Sequence, residues 1–168
     1  MSNHFGMRPI DVRPVDVRPI AASATLPLRS AVLRPGRPVD TAIFPEDDAP
    51  DTLHLGVFDQ EELVGVVSLY PKGAPMIQQP SGKHSTAWQL RGMAIHPARQ
   101  RQGYGTALVL ACRQQVAARG GTLIWCNART SAVAFYQAMG FVVQGDEFVI
   151  PDVGPHFLMV WHLHTHER

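Results

Sequence analysis

The segment Arg99-Gln100-Arg101-Gln102-Gly103-Tyr104-Gly105-Thr106 lies between a strand-like stretch and an alanine-rich stretch with helical character. Glycines at positions 103 and 105 let the backbone approach a ligand closely, because they carry no side chain. The first N–H groups of the helix that follows have no partner within it, and the helix dipole favours an anion beside them. Residues 99–106 therefore predict a loop that holds a phosphate-bearing ligand.

Two other kinds of phosphate-binding loop are excluded by single positions. A dinucleotide-binding fingerprint needs a third glycine at position 108, where the chain has Leu108. A P-loop ending at Gly82 and Lys83 needs glycine at 77 and Ser or Thr at 84, where the chain has Ile77 and His84. A Gly-x-Gly pair occurs in many loops, so its meaning depends on the surrounding sequence.

The charges are segregated along the chain, although the net charge is only +1. No Asp or Glu occurs between Leu63 and Gly145, whereas eight Lys or Arg residues do. A segment without carboxylates suits a polyanionic ligand, because carboxylates would repel it. Seven acidic residues fall within positions 46–62, either as a solvated loop or as an attractant for a cationic partner. The low net charge and the absence of interleaved aromatic residues argue against nucleic acid as the partner.

Length and composition indicate one globular domain. The chain has 168 residues, 45% of them hydrophobic and 17% charged, which excludes a disordered chain. No apolar run approaches the ~18 residues of a membrane span, and the start has no apolar signal-peptide core. Cys112 and Cys126 lie in apolar stretches, which is typical of reduced thiols. These features predict a cytoplasmic protein without a membrane partner.

The periodicity of the sequence predicts strands first and then alternating strands and helices. Strands are expected at 15–20, 54–58, 63–70, 86–95, 122–126, 141–150 and 157–163, and helices at 25–33, 104–119 and 130–139. This order predicts an α/β (α+β) domain with a mixed sheet and helices on its faces. Residues 1–20 are expected to form a proline-rich segment with a first strand, and residues 21–168 the main domain. The near-repeat at 11–14 and 16–19 is too short for a repeat fold.

Two motifs carry a resemblance to a known family. Gln100 to Gly105 match a pattern of Gln or Arg, two residues, Gly, one residue, and Gly or Ala, after a strand that ends in Ile95-His96-Pro97. Asn127, Ala134, Tyr136 and Gly140-Phe141 match a second signature downstream. Over about residues 50–163 the chain resembles the GNAT superfamily of acyl-CoA-dependent N-acetyltransferases. Pro155-His156 with Met159, together with Leu28-Arg29 and Leu33-Arg34-Pro35, resembles its ElaA-like branch.

The resemblance implies a single GNAT-type domain, with 21–168 as the N-acetyltransferase domain. A mixed sheet of six to seven strands would be splayed at the acyl-CoA cleft, with about four helices on its faces. Acetyl-CoA would be the acyl donor, no metal would be needed, and the acetyl group would pass directly to an amine in a ternary complex.

The resemblance also assigns cofactor contacts. The strand backbone at Met93, Ala94 and Ile95 would pair with the pantetheine arm, and Asn127 and Ala134 would line the gap where the thioester enters. The loop residues that would hold the pyrophosphate, mainly through backbone amides, are Gln100, Arg101, Gln102, Gly103, Tyr104, Gly105 and Thr106. The side chains of Arg99 and Arg101 either touch phosphates or are solvated loop charges.

Tyr136 and His156 are the candidate catalytic residues. Tyr136 would protonate the departing thiolate, and the alternative is a core aromatic residue beside Phe135. His156 would act as a base or acceptor ligand, and the alternative is a hydrogen-bonded structural histidine. Cys126 is expected to be a buried thiol rather than a nucleophile.

Acceptor-binding residues are harder to assign from the sequence. His54 and Arg91 are candidates. Trp88 and Arg91 are three positions apart in a predicted strand, so their side chains lie on opposite faces, and Trp88 is expected in the core. His162, His164 and His166 alternate on one face, as a metal site or as a frayed polar tail.

These features together predict an acetyl-CoA-dependent N-acetyltransferase that acts on a primary amine, as a monomer or homodimer. A cationic amine or polyamine would suit the acidic stretch, and a peptide amine is equally compatible. The alternative function is a non-catalytic acyl-CoA-binding module of the same fold.

Overall fold

The computed structural model describes residues 15–77 and 86–163 of the chain. Residues 1–14, 78–85 and 164–168, the last including His164 and His166, lie outside these ranges.

Seven strands form one mixed sheet in the described chain, as predicted. Their spatial order is β1-β2-β3-β4-β5-β7-β6, and every neighbouring pair is antiparallel except β4 and β5, which are parallel. Their bounds are Asp16–Pro19 (β1), Leu53–Asp59 (β2), Glu62–Pro71 (β3), Ala87–Ile95 (β4), Leu123–Arg129 (β5), Val142–Ile150 (β6) and Gly154–His162 (β7).

Three α-helices accompany the sheet in the described residues. Helix α1 (Leu26–Leu28) continues as a π-helical turn at Arg29–Leu33, α2 is Tyr104–Ala118, and α3 is Val133–Ala138. The other helical residues form short 3-10 turns, at Ala22–Thr25, Val39–Ala42, Pro97–Arg99 and Thr130–Ala132. The helix predicted at 104–119 is confirmed as α2. It ends at a glycine, because the N–H of Gly121 donates to the Val116 carbonyl at 2.9 Å, past Gly120 in the left-handed conformation.

The sheet has two differently covered faces. On the face packed against α2, called the α2 face, strand residues such as Val67, Leu69 and Leu90 are buried with Leu108 and Val109. On the other face, called the α1 face, Val66 and Ala94 pack on Leu28. Further along that face, Leu123 and Trp125 of β5 pack against Leu158 and Val160. Alternation along each strand decides which face a side chain joins.

The sheet splits between its two parallel strands. Strands β4 and β5 pair only at Ala87–Leu123, Trp88–Ile124 and Gln89–Trp125, and their later residues are not paired with each other. A β-bulge at Gly92 and Met93, both opposite Val67, bends β4 just beyond this point. Gly92 has φ +70°, and a Cβ there would lie 2.9 Å from the Arg29 side chain. The predicted splay of the sheet is therefore present and is produced by a bulge that requires glycine.

Candidate active site

A cavity of about 1040 Å³ lies at the gap between β4 and β5 and reaches both faces of the sheet. From the loop before α2 it is lined by Gly103 and Gly105, and from β4 by Arg91 and Met93. Side chains of β5, α3 and β7 complete its wall, among them Asn127, Tyr136 and His156.

The start of α2 is built to receive an anion. Arg101 and Gly103 have positive φ values of 62° and 88°, which turn the chain sharply into the helix. No side chain caps the helix, and its first turn contains no acidic residue. The leading N–H groups of this 15-residue helix therefore remain available to a ligand.

Part of the acidic stretch is paired with arginines of the same chain. Arg99 pairs with both Asp59 and Glu62 at the β2–β3 hairpin and also borders the cavity, so its contact with a phosphate stays a prediction. Glu61 pairs with Arg18 at 3.2 Å. Four of the seven carboxylates at 46–62 thus pair with arginines of the same chain, whereas Asp48 and Asp51 are exposed and form no ion pair with a described residue.

Tyr136 lies at the cavity wall on the α2 face. Its ring is buried, with edge-to-face contacts to Phe135 and Phe141 at centroid distances of 5.1 and 5.3 Å. Its hydroxyl makes no hydrogen bond to any residue in the described ranges. Burial, and then the neighbouring Cys126 and Cys112, raise the pKa of Tyr136 well above 10. The group is therefore a protonated donor at neutral pH.

The cysteines are buried free thiols, as predicted. Burial raises the pKa of Cys126 to about 12, so it is a neutral thiol at neutral pH. Since the thiolate is the nucleophilic form, Cys126 is a wall residue of the cavity rather than a nucleophile.

His156 lies at the cavity wall on β7, opposite Arg129 of β5. Its Nδ1 is 2.7 Å from the Gly154 carbonyl, which only accepts, so Nδ1 carries the proton. The ring stacks on Phe148, with centroids 6.0 Å apart, and is 4% exposed. The tautomer leaves the Nε2 lone pair free in the neutral ring, as a base requires.

His54 does not reach the cavity, which corrects its predicted role in acceptor binding. Its Nε2–H donates to the Asp47 carbonyl at 2.9 Å, and its Nδ1 accepts from Ser68 Oγ at 2.6 Å. Ser68 Oγ in turn accepts a hydrogen bond from Arg29 at 2.8 Å. Both ring nitrogens therefore serve a buried structural network.

Other predicted site residues divide into two groups. Ala94 is buried against Leu28, Gln102 points to the Ala98 carbonyl, and Ala134 is exposed, so none of their side chains lines the cavity. Those brought to the cavity wall are Arg91, Met93, Ile95, Gln100, Arg101, Gly103, Tyr104, Gly105, Thr106, Asn127, Tyr136 and His156. Trp88 is a core residue of the α2 face, as predicted.

Sequence reasoning missed several lining residues of the α1 face, namely Arg34, Phe44, Trp125 and Arg129. They come from separate segments, and Phe44 and Arg129 are more than 80 residues apart along the chain, so no local pattern marks them as neighbours. The Leu33-Arg34-Pro35 segment was informative only as a family resemblance.

In the described ranges, no group of three or more His, Cys, Asp or Glu side chains is arranged to hold a metal ion. Among the helices described, none is both long and apolar enough to cross a membrane.

Comparison with known proteins identifies relatives of this chain. Residues 24–141 match the model of the acetyltransferase (GNAT) family. The chain is 32% identical over 146 residues to YitI of Bacillus subtilis, described as an uncharacterized N-acetyltransferase, covering 87% of this chain and 95% of YitI.

Solved structures share the fold at lower identity. An aminoglycoside 6'-N-acetyltransferase complexed with coenzyme A matches with a TM-score of 0.70 and 17% identity, covering 91% of this chain and 99% of that one. Escherichia coli ElaA matches with a TM-score of 0.67 and 18% identity, covering 87% of this chain and 98% of that one. The predicted branch within the superfamily stays a prediction. The family match and the relative together show that this chain belongs to the GNAT acetyltransferase family.

Proposed function

We propose that this protein transfers an acetyl group from acetyl-CoA directly to a primary amine, with both substrates bound at once. The observation that carries the proposal is the continuous cavity through the gap between β4 and β5. It joins an anion-binding helix start and Tyr136 on the α2 face to His156 on the α1 face.

The chain's residues fit an acyl-CoA. The uncapped start of α2 suits the pyrophosphate, and the β4 backbone beyond Gln89, which β5 does not pair, suits the pantetheine amides. The relative solved with coenzyme A has the same fold, which supports this fit. Bound acetyl-CoA supplies a thioester carbonyl that a neutral amine attacks.

His156 receives the proton of the amine in this proposal. A lysine-like ammonium with a pKa of about 10.4 costs roughly 4–5 kcal/mol to deprotonate at pH 7, so a base near the amine is useful. Nε2 of His156 is the free nitrogen of the ring and accepts that proton, directly or through one water.

Tyr136 donates a proton to the departing sulfur on the other face. Its hydroxyl has no competing hydrogen bond in the described chain, and its pKa, raised by burial, keeps it protonated at neutral pH. The backbone N–H groups of residues 93–95 are assigned to the developing oxyanion. In sum a C–N bond forms, a C–S bond breaks, and the leaving sulfur takes a proton from Tyr136. The nitrogen gives up two protons: the first goes to His156 before the attack and then to solvent, and the second returns to Tyr136 after the attack, directly or through water.

Acetyl-CoA binding and turnover test the proposal together. Thermal unfolding is measured with and without acetyl-CoA and CoA, at several salt concentrations, since a ligand at 100 times its Kd adds about 2.7 kcal/mol. Release of free thiol is then followed with a panel of primary amines. A thermal shift with amine-dependent thiol release supports the enzyme. A shift without transfer to any amine supports the non-catalytic acyl-CoA-binding module instead, and no shift would refute both.

A further inference from the structure

Three arginines line the α1-face part of the cavity. Arg34 follows the π-helical turn, Arg91 is in β4, and Arg129 is the last residue of β5. Each side chain is half-buried, so each guanidinium is partly withdrawn from water while it still borders the cavity.

The three guanidiniums are held close together. Arg34 and Arg129 both donate to the Leu33 carbonyl oxygen, each at 3.0 Å. Arg34 and Arg91 both lie over the Phe44 ring, with Cζ 5.8 and 4.0 Å from its centroid. One carbonyl and one aromatic ring therefore organise three positive charges from distant parts of the sequence.

No carboxylate within residues 15–77 and 86–163 forms an ion pair with these three guanidiniums. The carboxylate of Asp47 already accepts hydrogen bonds from Arg29 at 2.7 Å and from Tyr70 at 2.6 Å. Burial, and then the charges of Arg129, Arg91 and Arg37, lower the pKa of Arg34. Arginine nevertheless stays protonated at neutral pH, so the wall keeps its positive charge.

The position of these arginines separates them from the cofactor loop. In the register of β3 and β4, Arg91 is opposite Ser68, whose hydroxyl contacts Arg29 on the α1 face. Arg129 follows Ala128, which is buried on the α2 face, so strand alternation places the Arg129 side chain on the α1 face. The start of α2 lies on the α2 face. The cluster thus faces the part of the cavity that remains for the acceptor, next to His156, which is registered opposite Arg129.

We propose that the acceptor amine also carries an anionic group, a carboxylate or a phosphate, which Arg34, Arg91 and Arg129 bind while the amine lies at His156. The inference rests on the proposed acetyl transfer and names the class of its acceptor. It favours an anionic acceptor over the polyamine that the acidic stretch suggested, because the cavity wall beside His156 is positive. Guanidinium forks match carboxylate and phosphate oxygens in two-point contacts.

Matched acceptors test the charge requirement. The series runs from glycine to 6-aminohexanoate, each compared with its own amide, with phosphoethanolamine and spermidine added. We expect at least about tenfold higher kcat/KM for the acids than for the amides, the scale of one charge-assisted hydrogen bond. The carboxylate and phosphate members distinguish the two anions. Amides or spermidine acetylated as well as the acids would overturn the inference and leave the acetyltransferase intact.

Arginine variants test which residues supply the charge. Arg129→Gln and Arg91→Gln should each raise KM for the best acid roughly tenfold, keep the Kd of acetyl-CoA, and reduce the preference for acid over amide. Arg129→Lys should restore part of that preference. Arg119→Gln is the matched control, since Arg119 is exposed at the end of α2 and bonds only to Gln115 among the described residues. Melting temperatures show that each variant is folded.

Two further outcomes remain decisive. If the cavity arginine variants weaken acetyl-CoA binding instead, the cluster belongs to the cofactor and the inference is overturned. If no amine of the series is acetylated, N-acetylated acids and their amides are titrated calorimetrically into the CoA-bound protein. Binding of the acids alone supports the anion site, whereas equal binding or none overturns it. Absence of CoA binding itself would count against the proposed function, which is a different result.

Discussion

Tyr136 and His156 lie on opposite faces of the sheet, and in the proposed reaction each handles a different proton. Tyr136 packs with Phe135, Phe141 and Cys126 on the α2 face. His156 stacks on Phe148 on the other face, with Nδ1 committed to the Gly154 carbonyl. A donor and an acceptor of protons thus lie on opposite sides of one gap, as direct transfer between two substrates requires.

Tyr136→Phe should lower kcat by about a hundredfold, because general acid catalysis contributes on that scale. The Kd of acetyl-CoA should stay the same, since only the hydroxyl is removed and that hydroxyl has no protein partner in the described chain. Stopped-time assays of thiol release and calorimetric titration measure the two quantities. Unchanged kcat would reject the acid role.

The pH profile gives a second readout for the same residue. The acid must be protonated to act, and the pKa of Tyr136 lies well above 10. Activity of the native enzyme should therefore rise with pH as the amine loses its proton, with no descending limb below about pH 10. A descending limb near neutral pH would point to another acid.

His156→Asn should lower kcat/KM by about a hundredfold while the protein stays folded. The asparagine amide can still donate to the Gly154 carbonyl, but it has no basic nitrogen in place of Nε2. His162→Asn is the matched control, because His162 is exposed on the same strand. Equal activity of the two variants would make His156 a structural residue.

Helix α2 contributes its first turn to function and its buried face to stability. Leu108, Val109, Cys112 and Val116 are fully buried against the sheet, which anchors the helix axis. Its N-terminus consequently has a fixed direction toward the cavity. The conformation of Gly103, with φ +88°, sets the entry of the chain into that turn.

Gly103→Ala should raise the Kd of acetyl-CoA at least about tenfold, with a stability cost of about 1–2 kcal/mol from the left-handed backbone. Gly120→Ala is the control, because Gly120 ends the same helix with φ +74° and, like Gly103, has open space where an alanine Cβ would lie, with no neighbouring atom within 4 Å. Calorimetry and denaturant unfolding compare the two. A similar loss of affinity in both variants would show that strain in the helix, rather than the loop, controls binding.

At the scale of the whole molecule, a buried polar network ties the α1 layer to the sheet. Arg29 is fully buried and donates to Asp47, Ser68, Tyr70 and the Ala42 carbonyl. Through Ser68 the network includes His54. It thereby fixes Phe44, over which Arg29 also lies, and Phe44 supports Arg34 and Arg91 at the acceptor side of the cavity.

Asp47→Asn should destabilise the protein by about 3–5 kcal/mol, because it leaves Arg29 as an uncompensated buried charge. Asp48→Asn, at an exposed neighbouring position, should change stability by no more than about 0.5 kcal/mol. Urea unfolding at pH 7 measures both. A loss below about 1 kcal/mol for Asp47→Asn would contradict the role assigned to the pair.

The same pair predicts acid sensitivity. Burial alone would raise the pKa of Asp47, but hydrogen bonds from Arg29, Tyr70 and the Phe44 N–H outweigh it, and the pKa is lowered. Between the lowered folded value and the unfolded value of about 3.9, the unfolded chain binds more protons. The stabilisation from Asp47 is therefore complete above that window and is lost as the pH falls through it, an effect that Asp47→Asn should lack.

Much of the architecture is encoded locally in the sequence. The strands, the hairpin at 59–62, the start of α2 after Gly103 and its end at Gly120 all follow from short-range periodicity and backbone preferences, and the structure places them within a few residues of prediction. The predicted phosphate loop and Tyr136 could be proposed from the sequence for the same reason, since each belongs to a motif within a short stretch of the chain.

Only the tertiary structure decided what the cavity contains. Strand order, the bulge at Gly92 and the split beyond Gln89 depend on pairing between distant segments, which no local pattern encodes. They bring Arg34, Arg91 and Arg129 together. They also place His54 in a buried hydrogen-bond network, although the sequence made it a candidate acceptor-binding residue. The sequence by itself determined the family, the elements and the position of the glycine loop before α2, because these depend on neighbouring residues. The acceptor wall depends on long-range packing, and it became visible only when the sheet was assembled.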